Sequence, residues 1–147
     1  RLSMLHRSTG SPPGQPGITD WDHSSSLRRP RGHLAHSPWC DFPEGLQVFV
    51  PTVTLDSWMG TRPEVKTVDL LWADVQGAEV DLIEGGRETL ARTSYLYTEY
   101  SNAELYAGQI NLEEILARLP GWRVVQNFPT TEDYADVLLE NTRLASL

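Results

Sequence analysis

Between residues 67 and 100 the chain switches between two kinds of apolar pattern, and that alternation limits the folds open to it. Val68-Asp69-Leu70-Leu71-Trp72-Ala73-Asp74 is a mainly apolar run of strand length, as expected of a central parallel strand covered on both faces. After it, Ala78 pairs with Leu82 and Val80 with Ile83 at helical spacings. A helix is therefore predicted over Ala78 to Glu84, interrupted at Gly85-Gly86 and resumed through Leu90. Ser94 to Tyr100, rich in aromatics and containing Thr98, reads as the next strand.

The clearest helix follows. Asn111 stands in capping-box spacing from Glu114, and Leu112, Ile115, Leu116 and Leu119 fall at i, i+3, i+4 and i+7 before Pro120-Gly121. Trp122 to Gln126 and Ala135 to Leu139 are two more strands, joined by a polar connection too short for a crossover helix, so they are expected to pair antiparallel. The order predicts an α/β fold with a mostly parallel sheet and an antiparallel C-terminal edge. In such sheets ligands lie beyond the carboxyl ends of the parallel strands.

Upstream the signals are sparser. Leu2 to His6 is strand-like, residues 8 to 24 are a Ser-, Pro- and Gly-rich surface loop, and residues 25 to 45 continue irregularly with one short helical turn. Leu46 to Val50 reads as a strand, and Thr54 caps a helix over Leu55 to Met59, stopped by Gly60 and Pro63. With 147 residues and 39% hydrophobic content, the chain is expected to form a single domain, largely irregular over 1–45 and regular α/β over 46–141.

The formal charge of −8 argues against a nucleic-acid partner, since phosphate backbones recruit clustered cations. Arg28, Arg29 and Arg31 form one basic cluster, readable as an anion contact or as a solvated loop. The single cysteine, Cys40, excludes an internal disulfide framework. It reads as a small buried hydrophobe or, with His36 nearby, as a thiol nucleophile. His23, His33 and His36 are irregularly spaced in a loop without matching ligands, so no metal site is expected. No apolar stretch has the length of a membrane span or of a secretory signal, which predicts no membrane partner and a cytoplasmic address.

Two carboxylates stand at the predicted carboxyl ends of the parallel strands, Asp74 and Glu99. An acid there can accept a proton, hold a ligand hydroxyl or ligate a cation. Asp74 can equally cap the helix that follows it. Gln76-Gly77 supplies a tight turn that lets backbone approach a ligand. Glu79 falls in the first helical turn, where an acid is favourable in any case.

In order, Asp74-Val75-Gln76-Gly77-Ala78-Glu79 followed by Asp81-Leu82-Ile83-Glu84-Gly85-Gly86 closely resembles the signature of the FkbM family of methyltransferases. Ser24-Ser25-Ser26-Leu27 is similar to that family's serine-rich segment, and Val53-Thr54-Leu55-Asp56-Ser57-Trp58 to its Thr-Leu-Asp element. Tyr97-Thr98-Glu99-Tyr100-Ser101-Asn102, Leu105-Tyr106-Ala107-Gly108-Gln109 and Asp136-Val137-Leu138-Leu139 resemble its closing segments, so the resemblance covers roughly residues 24 to 140. It implies a Rossmann-like class I methyltransferase fold that moves a methyl group from S-adenosylmethionine to a small-molecule acceptor, often a hydroxyl of a sugar or natural product.

By the same likeness Asp74 lies beside cofactor and acceptor as the base, and Glu99 positions the acceptor. Asp74, Gln76 and Gly77 are then the cofactor-binding residues, and Ser25, Ser26, Glu79 and Tyr100 meet the substrate. Two features depart from the family. Trp72-Ala73 stands where many members carry a Lys and an aliphatic residue. The glycine-rich turn that cradles the cofactor is absent, because Gly10, Gly14 and Gly17 are interleaved with Pro and follow no long apolar strand. The N-terminal strands are therefore expected to be missing, leaving a sheet flank unpaired. The alternative reading is a non-catalytic remnant that binds a partner through that flank.

Overall fold

The computed structural model describes residues 1–15 and 17–144. In chain order the elements are β1 (Leu2–Leu5), β2 (Thr9–Gly10), α1 (His33–His36), β3 (Cys40–Asp41), β4 (Val48–Pro51), α2 (Leu55–Met59), β5 (Val68–Ala73), α3 (Glu79–Gly85), α4 (Arg87–Leu90), β6 (Thr93–Ser101), α5 (Leu112–Arg118), β7 (Trp122–Pro129) and β8 (Tyr134–Asn141). Every element expected after residue 45 is present. The break between α3 and α4 falls at Gly86, where a Cβ would lie 2.7 Å from the Leu82 carbonyl oxygen.

The caps follow the sequence. Thr54 accepts from the Ser57 amide at the start of α2, and Asn111 and Glu114 form a reciprocal capping box on α5. Asp56 of α2 accepts from the Glu88 and Thr89 amides and from the Thr89 hydroxyl, which ties α2 to the start of α4. Burial opposes ionisation of that carboxyl, but the three hydrogen bonds outweigh it and hold its pKa low.

β5, β6, β8 and β7 form one four-stranded sheet in that spatial order. Only β5 and β6 run parallel, while β6 with β8 and β8 with β7 are antiparallel. The expected mostly parallel sheet is thus a mixed one. A parallel neighbour requires a crossover connection, and α3 and α4 supply one for β6, whereas β7 and β8 are joined by a hairpin. β8 inserts between β6 and β7, so the C-terminal edge strand is β7.

Alternation of side chains across the sheet sorts it into two faces. On one, Ala73, Leu96, Val137 and Leu139 are buried under α3, α4 and α5 with Ile83, Leu90, Ile115 and Leu119. The other carries a row of rings, Trp72 on Tyr97 at 4.7 Å and Tyr97 on Phe128 at 5.9 Å. Trp72 is 69% exposed and Leu70 50%. β5 is therefore not a central strand covered on both faces. It pairs only with β6 among the described residues and lies at the sheet edge.

The N-terminal region folds against the carboxyl end of this sheet. β1 pairs with β4 and β2 with β3 in two small antiparallel sheets. The segment between them docks through backbone bonds from the Arg31 amide to the Leu105 carbonyl and from the Ala107 amide to the Arg29 carbonyl, both 2.8 Å. It closes one side of a crevice where the parallel strands end.

Candidate functional site

The site begins where β5 stops. Asp74 follows the last strand residue, and the chain then turns sharply through two left-handed residues, Gln76 (φ 47°) and Gly77 (φ 87°). For Gln76 this backbone carries strain that only a well-determined surrounding sustains. Gly77 is required on two counts: its φ, and a Cβ there would lie 2.5 Å from the Cβ of Tyr106. The open space that glycine provides is thus occupied by Tyr106.

Two groups brace the turn. The buried Ser26 hydroxyl donates to the Gln76 carbonyl at 2.6 Å. Glu79, 1% exposed, accepts from the Gly77 amide at 3.1 Å. Its other oxygen is buried with no partner among the described residues. Burial pushes the Glu79 carboxyl up to about 7, against the backbone hydrogen bonds it accepts.

The Gln76 side chain ties the two strand-end carboxylates together. Its amide nitrogen donates to Asp74 Oδ1 at 2.6 Å and to Glu99 Oε2 at 3.0 Å. Asp74 is exposed, whereas Glu99 is half-buried. Burial, joined by the neighbouring charges of Asp74, Asp136 and Glu79, pushes Glu99 up to about 7 against a hydrogen bond from Tyr134 that lowers it. A carboxyl that titrates near neutrality can both take and release a proton under physiological conditions.

Asp74, Gln76 and Glu99 form the floor of a crevice of about 560 Å³, with Trp21, Trp39, Tyr106 and Tyr134 in its walls. Trp21 packs edge-on against Trp39 at 5.5 Å and stacks on His23 at 4.4 Å. Asp74 also borders a second cavity of about 480 Å³, lined by Val53, Leu55, Trp58 and Val75 together with Ser25 and Ser26. The carboxylate stands between a crevice of mixed polar and aromatic lining and a largely apolar cavity.

The residues singled out from the sequence separate accordingly. Asp74, Gln76 and Glu99 come together in the crevice. Ser25 and Ser26 lie along the second cavity, Ser25 accepting from the Ser8 amide at 3.0 Å. Glu79 sits beneath the turn rather than in either wall. Tyr100 points to the opposite sheet face from Glu99, because adjacent strand residues alternate; it packs on the core and accepts from Asn127 at 3.1 Å. Cys40 is buried, and burial raises its thiol pKa, which disfavours a thiolate nucleophile. Arg28 pairs with Asp81 at 2.7 Å and Arg31 with Glu104 at 3.0 Å, so two of the three clustered cations are matched by acids.

The sequence alone does not mark Tyr106, Tyr134, Trp21 and Trp39 as site residues; the one signal is that Tyr106 lies within a segment resembling the family. Among the described residues no group of three or more His, Cys, Asp and Glu side chains could hold a metal ion. None of the helices described is long and apolar enough to cross a membrane.

Comparison with known proteins decides the family. The family model for the methyltransferase FkbM domain matches residues 19–137. The chain belongs to this family. It is 45% identical over 131 residues to the 2-O-methyltransferase NoeI of Sinorhizobium fredii (strain NBRC 101917 / NGR234), an alignment covering 89% of this chain and 52% of that relative. The FkbM-family chain thus spans about half the length of the curated relative it matches. No solved structure matches it significantly.

Proposed function

We propose that this FkbM-domain chain is an S-adenosylmethionine-dependent methyltransferase acting on a hydroxyl of a sugar or related natural product. The observation that carries the reading is the pair Asp74 and Glu99, bridged by Gln76 at the mouth of the parallel strands, with Glu99 titrating near neutrality. Family membership and the 2-O-methyltransferase relative support it.

The residues present suit part of such a cofactor. The Asp74 carboxylate, between a crevice partly walled by aromatic rings and a largely apolar cavity, is matched to a positively charged sulfonium flanked by carbon. The donor supplies an electrophilic methyl group when bound. The protein has to bring the acceptor oxygen into line and remove its proton.

Glu99 fits the proton acceptor better than Asp74, which reverses the roles the family likeness suggested. Its pKa, raised to about 7, lets it take up a proton near neutrality while it faces the crevice. Asp74, exposed and adjoining both cavities, holds the acceptor hydroxyl and faces the cofactor's charge. Trp21 and Trp39 offer apolar ring faces to the C–H surface of a sugar ring, while Gln109 and Ser101 supply polar contacts in the same crevice.

Incubation of the chain with methyl-labelled S-adenosylmethionine and a panel of monosaccharides and short glycans tests this. Label transferred to an acceptor hydroxyl, with saturable cofactor binding by calorimetry, is the expected result. Saturable cofactor binding with transfer only to protein or nucleic acid would refute the acceptor class, and no saturable binding would refute independent catalysis by this chain.

A further inference from the structure

The bridge between the two carboxylates works only one way round. A glutamine amide has a donor end and an acceptor end. With nitrogen towards Asp74 and Glu99 it gives one proton to each; reversed, its oxygen would meet two acceptors. Something must therefore hold Oε1 on the far side. The Tyr106 hydroxyl lies 3.0 Å from Gln76 Oε1 and 2.6 Å from the Ser24 carbonyl oxygen, both acceptors. The single phenolic proton is shared between them.

This in turn fixes the next partner. His33 Nε2 lies 2.8 Å from the same hydroxyl, and since the phenolic proton is already committed, the imidazole is the donor. Nδ1 is then the unprotonated nitrogen, and it is buried with no partner among the described residues. Burial lowers the His33 pKa, which agrees with a neutral ring. The protons run in one direction, from His33 to Tyr106 to Gln76 and on to the two carboxylates. The Tyr106 ring, 1% exposed, reaches this position because Gly77 has no Cβ to obstruct it.

We propose that Tyr106 is a positioning residue for proton removal at this site: it holds the Gln76 amide with its nitrogen towards Asp74 and Glu99, and so sets the proton affinity of Glu99. Its bearing on catalysis rests on the methyl-transfer reading above. The hydrogen-bond relay itself does not.

The groups that face Glu99 all enter the balance. Asp74 at the end of β5, Asp136 on β8 and Glu79 on α3 raise its proton affinity, while Tyr134 on β8 lowers it. Tyr97 on its own strand and Tyr106 also interact with its charge. Glu132, Asp133, His23 and His36 line the same crevice. Against that acidic background, the Gln76 N–H is a donor that favours the anion, so loosening it raises the Glu99 midpoint.

The test is a carbon-13 NMR titration of the full chain labelled at glutamate carboxyls, with the Glu99 resonance assigned by its loss in Glu99→Gln and the Glu79 resonance by its loss in Glu79→Gln. Tyr106→Phe keeps the ring packing and removes the donor. It is expected to raise the Glu99 midpoint by about one pH unit, the scale of one hydrogen bond to a charged group. Gln76→Met removes both amide protons and is expected to raise it further, and Tyr106→Phe added to Gln76→Met is expected to change nothing more. An unchanged midpoint in Tyr106→Phe, or a full further shift in the double variant, overturns the proposal. A measurement on the parent chain needs no variant to fold: with tyrosine labelled at Cζ, the Tyr106 resonance should move with the Glu99 midpoint, and its independence of that titration would equally overturn the relay. A chain that shows the coupled titration but transfers no methyl group refutes the methyl-transfer reading and leaves the relay standing.

Discussion

Residues 68–141 and residues 1–46 are built on different physical principles. In the sheet region the buried side chains include Leu96, Ile115, Val137 and Leu139, packed between sheet and helices. In the N-terminal region the buried side chains among those described are Ser8, Pro12, Ser24, Ser26, His33 and Cys40. The first region is held by apolar burial, worth about 1.5 to 3 kcal/mol per large side chain. The second is held largely by hydrogen bonds to the strand ends, each worth about 1 kcal/mol net. A rigid sheet can carry the reacting groups, and a more lightly held wall can shape the space around them.

The largest expected effect separates those two contributions to the reaction. Glu99→Gln should lower the methyl-transfer rate by about 10²- to 10⁴-fold, the range for a lost general base. In the parent, that rate should rise with pH through about 7, because Glu99 accepts a proton only when ionised. Trp39→Ala, in the wall, should raise KM for the acceptor several-fold with little change in kcat. A pH profile in Glu99→Gln that still rises through 7 would assign proton removal to another group.

Stability divides along the same line. Leu139 is fully buried at the centre of the core, and Leu139→Ala should cost about 2 to 5 kcal/mol in urea unfolding. It should disrupt the crevice with the sheet, since Asp74 and Glu99 belong to strand ends. Retention of near-parent stability would mean that the sheet does not supply the chain's cooperative core.

Glu79 stands at the joint between the regions and gives a smaller, pH-dependent effect. Its pKa rises from 4.5 to about 7 on folding. The folded state thus keeps a proton that the unfolded chain releases, and stability falls as pH rises from about 4.5 to 7, then levels off. Glu79→Gln cannot ionise and keeps an oxygen to accept from Gly77. On the order of 2 kcal/mol of added stability is expected for it at pH 8, with none at pH 4. Denaturant midpoints at the two pH values check this, and a loss of stability at pH 8 would show that the folded chain uses the anion.

How much of this was legible before the fold was known follows the same division. β5 to β8, the α3–α4 break and the α5 cap were readable because apolar periodicity and capping residues act locally. The place of β5 in the sheet was not, since an apolar run looks the same at an edge as at the centre, and only Leu70 and Trp72 reveal the difference once their exposure is known. Asp74, Gln76 and Glu99 could be placed by the rule for strand ends. Tyr106 and Tyr134 reach the crevice from loop and hairpin, 30 and 35 residues along from Gln76 and Glu99 respectively, and no local pattern marks such a contact. Ser24 and Ser26 look like a solvated run and are buried, because their partners lie 50 or more residues away.

The mildest test addresses the wall alone. The Ser26 hydroxyl donates to the Gln76 carbonyl and accepts from the Arg28 amide at 2.8 Å, so Ser26→Ala leaves two backbone groups short of a partner. The loss is about 1 to 2 kcal/mol where it acts. If the wall opens independently of the sheet, as its polar attachment implies, that loss appears as local rather than global unfolding. Hydrogen exchange should then show about tenfold less protection at the His6 and Ser26 amides, which bond to each other's carbonyls, with the Val137 and Leu139 amides unchanged. Equal loosening at both places would mean that the two regions unfold as one unit. The N-terminal segment would then be part of the cooperative fold despite its lack of an apolar core.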